Sequence, residues 1–328
     1  MAALLQIRDL RTSFFTSDGE VRAVDGVTFD IEESKTMGLV GESGCGKSVT
    51  ALSVMHLLSK GVGRVVGGEI LYRGQNLAEF SDQQMRDIRG NEISMIFQEP
   101  MTSLNPVFSI GDQIAESVRL HQGFSKKEAR DRAIEMLQLV KIAEPDKRID
   151  EYPHQLSGGM RQRVMIAMAL SCNPSLLMAD EPTTALDVTI QAQILELIKE
   201  LQEQLGMSVL LITHDLGVVA EQADEVAVMY AGKIVERAKP EIIFAHPAHP
   251  YTVGLMNSVP GVTDKSKKRL EAIPGIVPSP LHWPSGCRFR DRCSLAEDSC
   301  GRTQPDLVEI EAGHWVSCLK VPLTASAA

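Results

Sequence analysis

One segment constrains the fold of this chain more than any other: Gly41–Ser48, with the sequence GESGCGKS. It follows the apolar run Met37–Val40, which predicts a buried strand, and precedes residues that can continue as a helix. A glycine-rich turn in this position lets backbone N–H groups converge on a phosphate, while a lysine reaches its oxygens and a serine hydroxyl ligates Mg²⁺. The segment therefore predicts a P-loop NTPase of the α/β class that binds ATP and Mg²⁺. The residues predicted to contact the nucleotide are Gly41, Ser43, Gly44, Cys45, Gly46, Lys47, Ser48 and Val49.

A second segment places two acids at the end of a predicted strand. The apolar residues Leu176–Ala179 are followed by Asp180 and Glu181. An Asp-Glu pair after a strand is by itself more often a solvated loop, but an upstream phosphate loop favours a catalytic pair. We expect Asp180 and Ser48 to hold Mg²⁺ and Glu181 to polarise the attacking water.

A third segment, Leu156–Met160 with the sequence LSGGM, precedes a predicted helix. A hydroxyl and open backbone N–H groups at a helix N-terminus suit a γ-phosphate. With the two segments above, it resembles the signature sequence of ATP-binding-cassette (ABC) ATPases, whose usual fifth residue is Gln where this chain has Met160. The resemblance implies that Ser157, Gly158 and Gly159 contact, in trans, the ATP held by a second cassette.

The ABC resemblance extends to residues whose types alone predict little. Gln98 matches the Q-loop glutamine that senses Mg²⁺ and faces the membrane partner, Asp187 matches the D-loop, and His214 matches the switch histidine that contacts the γ-phosphate. Phe14 matches the aromatic residue that stacks on adenine, and the adjacent Phe15 remains an alternative. The resemblance implies Glu181, His214 and Gln98 as the catalytic residues, and Gln98 as a further Mg²⁺ ligand.

The order of predicted elements agrees with an ABC cassette. Apolar runs predict short strands at residues 4–8, 27–31, 93–97 and 209–213; a capping box at Ser125–Glu128 starts one helix, and another is predicted over residues 188–205. The resemblance implies a mixed β core, an antiparallel N-terminal β subdomain and a helical subdomain at about residues 99–165. Because prolines become dense after Arg237, we predict a nucleotide-binding domain over residues 1–240 and a small Pro- and Cys-rich C-terminal extension over 241–328.

The extension contains four of the six cysteines, separated by five, six and seventeen residues. These are Cys287, Cys293, Cys300 and Cys318. Since no pair has C-x₂-C spacing, spacing alone leaves zinc, an iron–sulfur cluster and no metal as open alternatives. Similar tails of dipeptide-importer ATPases hold a [4Fe–4S] cluster, and the resemblance implies one here. Arg288, Arg290 and Arg292 are expected either to offset the charge of the thiolates or to face solvent.

Three further stretches resemble the dipeptide and oligopeptide importer ATPases in particular: Glu99–Pro106, Tyr152–Gln155 and His249–Thr252. This resemblance implies the ATPase subunit of a peptide-class importer, peripheral at the cytoplasmic face of the inner or plasma membrane. Its expected partners are a second ABC ATPase subunit, identical or homologous, two transmembrane permease subunits and, indirectly, a substrate-binding protein. Importers of dipeptides, oligopeptides, nickel and glutathione share this ATPase type, so the sequence leaves the cargo open.

A soluble ABC ATPase of DNA repair or translation is the alternative function. Repair ATPases carry a long coiled-coil or zinc insertion and translation factors carry two cassettes, whereas this sequence has one cassette with a short insertion. The formal charge of −10 argues against a nucleic-acid partner, because phosphate contacts need clustered cations. Residues 1–10 lack the features of a signal peptide, and we find no run of about 20 apolar residues that could span a membrane.

Overall fold

The computed structural model describes residues 3–98, 103–184, 186–258 and 273–321. The strands are β1 Ala3–Thr16, β2 Gly19–Glu32, β3 Thr36–Val40, β4 Gly63–Tyr72, β5 Gln75–Asn76, β6 Ile93–Ile96, β7 Leu176–Asp180, β8 Ser208–Thr213, β9 Glu225–Tyr230, β10 Lys233–Ala238, β11 Val308–Glu311 and β12 His314–Val316. The helices are α1 Lys47–Val54, α2 Asp82–Ile88, α3 Ile110–Gln122, α4 Lys126–Leu139, α5 Pro145–Arg148, α6 Gly158–Leu170, α7 Val188–Leu205, α8 Leu216–Gln222, α9 Pro240–Ala245, α10 Pro250–Asn257 and α11 Asp298–Arg302.

The chain divides into two compact units. The helical unit contains Glu33–Lys35 and Glu79–Leu210, and the phosphate-loop unit contains Ala2–Glu32, Thr36–Ala78 and Leu211–Ala328. Strand β8 contributes residues to both. None of the helices in the described ranges is long and apolar enough to cross a membrane.

An antiparallel sheet with the order β2-β1-β4-β5 lies in the phosphate-loop unit. The predicted short strands at residues 4–8 and 27–31 are parts of much longer strands, β1 and β2, of fourteen residues each. The pairing continues past residue 8 because β1 absorbs an irregularity at Asp9 (φ 47°), opposite Gly68 (φ 84°), and then resumes in a shifted register. Such bulges bend a strand without ending it, which a hydrophobic pattern does not reveal.

Six neighbouring strands of a second sheet lie wholly or partly in the phosphate-loop unit, in the order β11-β12-β10-β9-β3-β8. It is mixed, because β3 pairs in parallel with β9 whereas β9, β10 and β12 pair antiparallel. Every residue of β3 is buried, as expected for a central strand covered on both faces. Strand β12 of the C-terminal extension joins this sheet through the pairs Glu236–Val316 and Arg237–Trp315.

The helical unit contains β6 and β7, which pair in parallel, and the helices α2 to α7. Helix α4 begins with the predicted capping box, in which Ser125 and Glu128 bond reciprocally to each other's backbone N–H. Helix α7 has the predicted bounds and ends at Gly206 with a left-handed φ of 65°. Five large apolar side chains of α3 and α4 are fully buried, each contributing about 1.5–3 kcal/mol to folding: Ile110, Ile114, Val118, Met136 and Leu137. These helices confirm the predicted helical insertion.

Candidate nucleotide site and cysteine cluster

The phosphate loop connects β3 to α1, and its glycines are required by close backbone contacts. A Cβ atom on Gly41 would lie 2.1 Å from the Met229 carbonyl oxygen, and one on Gly46, whose φ is 109°, would lie 2.5 Å from the Ala23 carbonyl oxygen. No larger residue fits either position without displacing the backbone. Ser43 and Gly44 between them are exposed, so the open side of the loop is accessible.

Lys47 is the first residue of α1, and its side chain folds back over the loop. The residue is 5% exposed, and its Nζ donates to the carbonyl oxygens of Gly41 at 2.7 Å and Glu42 at 3.1 Å. No side chain caps this helix and no acid lies in its first turn, so its N-terminal dipole is free to favour an anion. Burial raises the pKa of the adjacent Cys45 thiol, which suits a small packed side chain.

Glu181, directly after β7, has a left-handed φ of 46°, a conformation that costs a residue with a Cβ about 1–3 kcal/mol. Its Oε2 accepts hydrogen bonds from Gln98 Nε2 at 3.1 Å and from Thr184 Oγ1 at 3.0 Å. Asp180, the last residue of β7, is buried. The structure therefore brings the predicted residues Gln98 and Glu181 together, and it adds Thr184, whose type and position in the sequence carry no signal for this contact.

The signature segment lies at the start of α6. Ser157 is the N-cap, its Oγ accepting the Met160 N–H at 3.3 Å, and both Ser157 and Gly158 are exposed. Asp187 caps α7 by accepting the Ile190 N–H at 3.0 Å. A Cβ on Gly159 would lie 3.0 Å from Ile190 Cγ2, so the two helix starts pack closely. The neighbouring Ala185 of the D-loop lies outside the described residues.

His214 follows β8 and is exposed, as a residue that must reach a ligand would be. Of the two aromatic candidates for adenine, Phe14 is half-buried against Gly63, and Phe15 is 37% exposed with the Arg64 guanidinium 4.2 Å from its ring centroid. That Phe14, and not Phe15, stacks on adenine stays a prediction.

All four cysteines of the extension line one small cavity, and all six cysteines of the chain are free thiols. The Cys318 sulfur accepts a hydrogen bond from the Lys320 backbone N–H at 3.5 Å. Within the described ranges, however, no three His, Cys, Asp or Glu side chains converge closely enough to hold a metal ion. The cysteines are thus gathered around a common space, but more loosely than a single ion requires.

Two of the three arginines among these cysteines neither line the thiol cavity nor face solvent, so neither expected arrangement holds for them. Arg288 pairs with Asp25 and also donates to the Ala231 carbonyl oxygen, while Arg292 pairs with Glu42; both arginines are buried. Arg290 alone of the three lines the cysteine cavity. The three arginines are near the cysteines in sequence, but ion pairs with Asp25 and Glu42 of the nucleotide-binding part of the chain determine where the side chains of Arg288 and Arg292 point.

Comparison with known proteins agrees with this geometry. Residues 24–184 match the family described as "ABC transporter", and residues 235–300 match "Oligopeptide/dipeptide transporter, C-terminal region". The chain is 55% identical to the probable peptide ABC transporter ATP-binding protein y4tR of Sinorhizobium fredii, over 96% of this chain and 94% of that protein. It is 54% identical to the oligopeptide transport ATP-binding protein AppD of Bacillus subtilis, over 97% of each chain.

Solved structures give the same result. A dimeric ATP-binding cassette in a post-hydrolysis state, bound to ADP and Pi, matches with a TM-score of 0.64 and 27% identity, over 72% of this chain and 98% of that one. The cbiO1 protein of Clostridium perfringens, part of an ABC transporter complex, matches with a TM-score of 0.63 and 26% identity, over 75% of this chain and 92% of that one.

The fold and the phosphate loop thus define a P-loop ATPase whose ATP hydrolysis is coupled to transport. More particularly, the chain belongs to the ABC transporter family, in the group of ATP-binding subunits that carry the oligopeptide/dipeptide C-terminal region. Matches to transport proteins over nearly the whole chain favour this function over the soluble repair or translation alternative.

Proposed function

We propose that this chain is the ATP-hydrolysing subunit of an importer for peptides, bound peripherally to permease subunits at the cytoplasmic face of the membrane. Support comes from the C-terminal match over residues 235–300 and from relatives named for peptide, oligopeptide and dipeptide transport. We propose the division of labour predicted above, in which residues 1–240 carry the nucleotide chemistry and residues 241–328 form the extension typical of this group.

For hydrolysis, Lys47 and the loop N–H groups hold the phosphates, and Ser48, Asp180 and Gln98 hold Mg²⁺. Glu181 polarises the attacking water. The observation that carries this proposal is the arrangement of Glu181, whose carboxylate is fixed by two side chains and whose backbone is held in a strained conformation. Strain that persists where hydrogen bonds over-determine it is typical of catalytic positions. His214, exposed at the end of β8, contacts the γ-phosphate.

Two cassettes enclose each nucleotide in this proposal, with Ser157, Gly158, Gly159 and Asp187 acting on the ATP of the partner. Support comes from the exposure of Ser157 and Gly158 at the N-terminus of α6, which leaves the helix start open to a second chain. A dimeric cassette among the matched structures has the same fold.

The residues that follow Gln98 are proposed to dock a permease helix. Residues 99–102 lie outside the described ranges, but the adjoining Val107 and Phe108 are 71% and 52% exposed. Apolar side chains so exposed are frequent where a partner binds. A cysteine placed at Ser103 is expected to crosslink to a permease subunit in the assembled transporter, and one placed at Lys147, on α5, is the comparison site.

For the cysteine cluster, we propose that Cys287, Cys293, Cys300 and Cys318 hold a [4Fe–4S] cluster. Such a cube takes one thiolate on each of four irons, so it suits four cysteines that line a common cavity without three of them converging on one point. The backbone N–H that donates to the Cys318 sulfur is a usual feature of cluster sites. Because the sequence implies no redox substrate, we propose that the cluster stabilises the fold of the Pro-rich extension and does not transfer electrons.

The transport function is tested by purifying the chain with its natural partners and measuring ATP hydrolysis with and without binding protein loaded with peptide. We expect peptide to stimulate hydrolysis, and Lys47→Ala to abolish it. Stimulation by a nickel or glutathione complex instead, with none by peptides, would contradict the cargo and leave the ATPase intact.

The cluster is tested on anaerobically purified protein. We expect brown protein that absorbs at about 400 nm, as thiolate-bound iron–sulfur clusters do, and we expect the Cys293→Ser and Cys300→Ser variants to lose this absorbance. Cys172→Ser, which alters a buried thiol of the helical unit, is the control. Colourless protein carrying stoichiometric zinc would overturn the proposal.

A further inference from the structure

Glu42, the second residue of the phosphate loop, is bonded to the C-terminal extension through two separate groups. Its backbone N–H donates to the Tyr251 hydroxyl oxygen at 2.9 Å. Its carboxylate accepts a bidentate pair of bonds from Arg292, at 2.6 Å and 3.0 Å. The extension therefore fixes both the main chain and the side chain of one loop residue, from positions 209 and 250 residues later in the chain.

Arg292 is itself held on several sides. Its side chain is 5% exposed, against 29% for Glu42, and its Nε donates to the Pro274 carbonyl oxygen at 2.9 Å. The guanidinium also lies 5.7 Å from the centroid of the Tyr230 ring. Hydrogen bonding to Glu42 raises the pKa of Arg292 further, so this arginine stays charged at all physiological pH. A charge-assisted bidentate pair in such surroundings fixes geometry as well as charge.

Tyr251 is fixed just as firmly. It is fully buried, and its ring packs against those of Tyr230 and Phe289, with centroids 4.6 Å and 5.4 Å away. Burial raises the pKa of its hydroxyl, which stays a neutral phenol able to accept the Glu42 N–H. The start of its helix α10 is anchored to β10, because the fully buried Glu236 accepts the backbone N–H of Ala248 and of His249.

We infer that Tyr251 and Arg292 are positioning residues for ATP: they hold Glu42 so that the loop keeps its phosphate-binding shape, and Arg292 cancels the negative charge that Glu42 would otherwise present to a polyphosphate. This rests on the proposed role of the loop in binding ATP. The main chain makes the connection direct, since the Glu42 carbonyl oxygen accepts from Lys47 Nζ at 3.1 Å. The C-terminal extension is on this view a structural part of the nucleotide site.

The test compares Arg292→Gln, Glu42→Gln and the double variant in the assembled transporter, with the KM for ATP, kcat and the melting temperature as readouts. Arg292→Gln leaves an uncompensated carboxylate in the loop, so we expect the KM for ATP to rise about tenfold, more at low salt, with a smaller change in kcat. Adding Glu42→Gln removes that charge and should restore most of the ATP affinity. Tyr251→Phe keeps the shape of the ring but leaves the Glu42 N–H without its acceptor, so it should also raise the KM for ATP.

Arg288→Gln is the matched control, because it removes another buried, ion-paired arginine of the extension whose carboxylate partner, Asp25, lies outside the loop. We expect it to lower the melting temperature without raising the KM for ATP. The inference is overturned if Arg288→Gln raises the KM as much as Arg292→Gln does, or if the double variant shows no rescue. Lys47→Ala distinguishes a failure of this inference from a failure of the proposed function. If Lys47→Ala leaves ATP binding intact, the loop is not the ATP site; if Lys47→Ala abolishes binding while the Arg292 variants behave like the control, only the role of the extension fails.

Discussion

Thr184 offers the sharpest test of the catalytic assignment, because it contacts Glu181 through a single hydroxyl. Its Oγ1 donates to Glu181 Oε2 at 3.0 Å, and Gln98 donates to the same oxygen at 3.1 Å. Thr184→Val keeps the shape and removes the bond. A hydrogen bond to a charged group contributes about 1.5–3 kcal/mol; because the site is half-open and Gln98 remains, we take the lower end, which corresponds to about a tenfold loss in rate.

The expected result is a kcat about tenfold lower with the KM for ATP unchanged, since the hydroxyl orients the carboxylate and does not bind nucleotide. Steady-state ATP hydrolysis by the assembled transporter measures both constants. Thr184→Ser should retain near-normal kcat because it keeps the donor. Thr183→Val makes the same chemical change one residue earlier and serves as the control. An unchanged kcat in Thr184→Val, or an equal loss in Thr183→Val, would refute the idea that this hydroxyl positions Glu181.

Three further predictions concern the same machinery. Glu181→Gln should bind ATP, lose at least about 100-fold in kcat and accumulate as a closed dimer with its partner cassette, measured by size-exclusion chromatography with ATP; unchanged turnover would remove Glu181 as the base. Ser157→Arg should stop turnover at the partner's site while ATP binding on its own loop, followed by fluorescent nucleotide, stays intact; loss of that binding would contradict action in trans. Gly46→Ala, whose Cβ would meet the Ala23 carbonyl oxygen at 2.5 Å, should lower the melting temperature more than Gly44→Ala, which meets nothing within 4 Å; equal shifts would mean that backbone strain alone acts.

Features that depend on neighbouring residues were predictable from the sequence. The phosphate loop needs only a strand, a turn with glycines and a helix in succession, and the capping box of α4 and the glycine stop of α7 are set within a few residues. Asp180 and Glu181 follow a buried strand for the same local reason. The family resemblance rested on the phosphate loop, the Asp-Glu pair and the signature segment Leu156–Met160, and the fold class followed from them.

Contacts between distant parts of the chain were decided only by the tertiary structure. Spacing could not show that the four cysteines surround a common cavity, or that β12 would pair with β10, because the long-range contacts of the extension set both. Nor could it direct Arg292 to Glu42, since an ion pair between residues 250 positions apart leaves no periodic trace in the sequence. A residue's neighbours along the chain determine its local conformation, but the burial and charge that it meets in the folded protein determine which partner it holds.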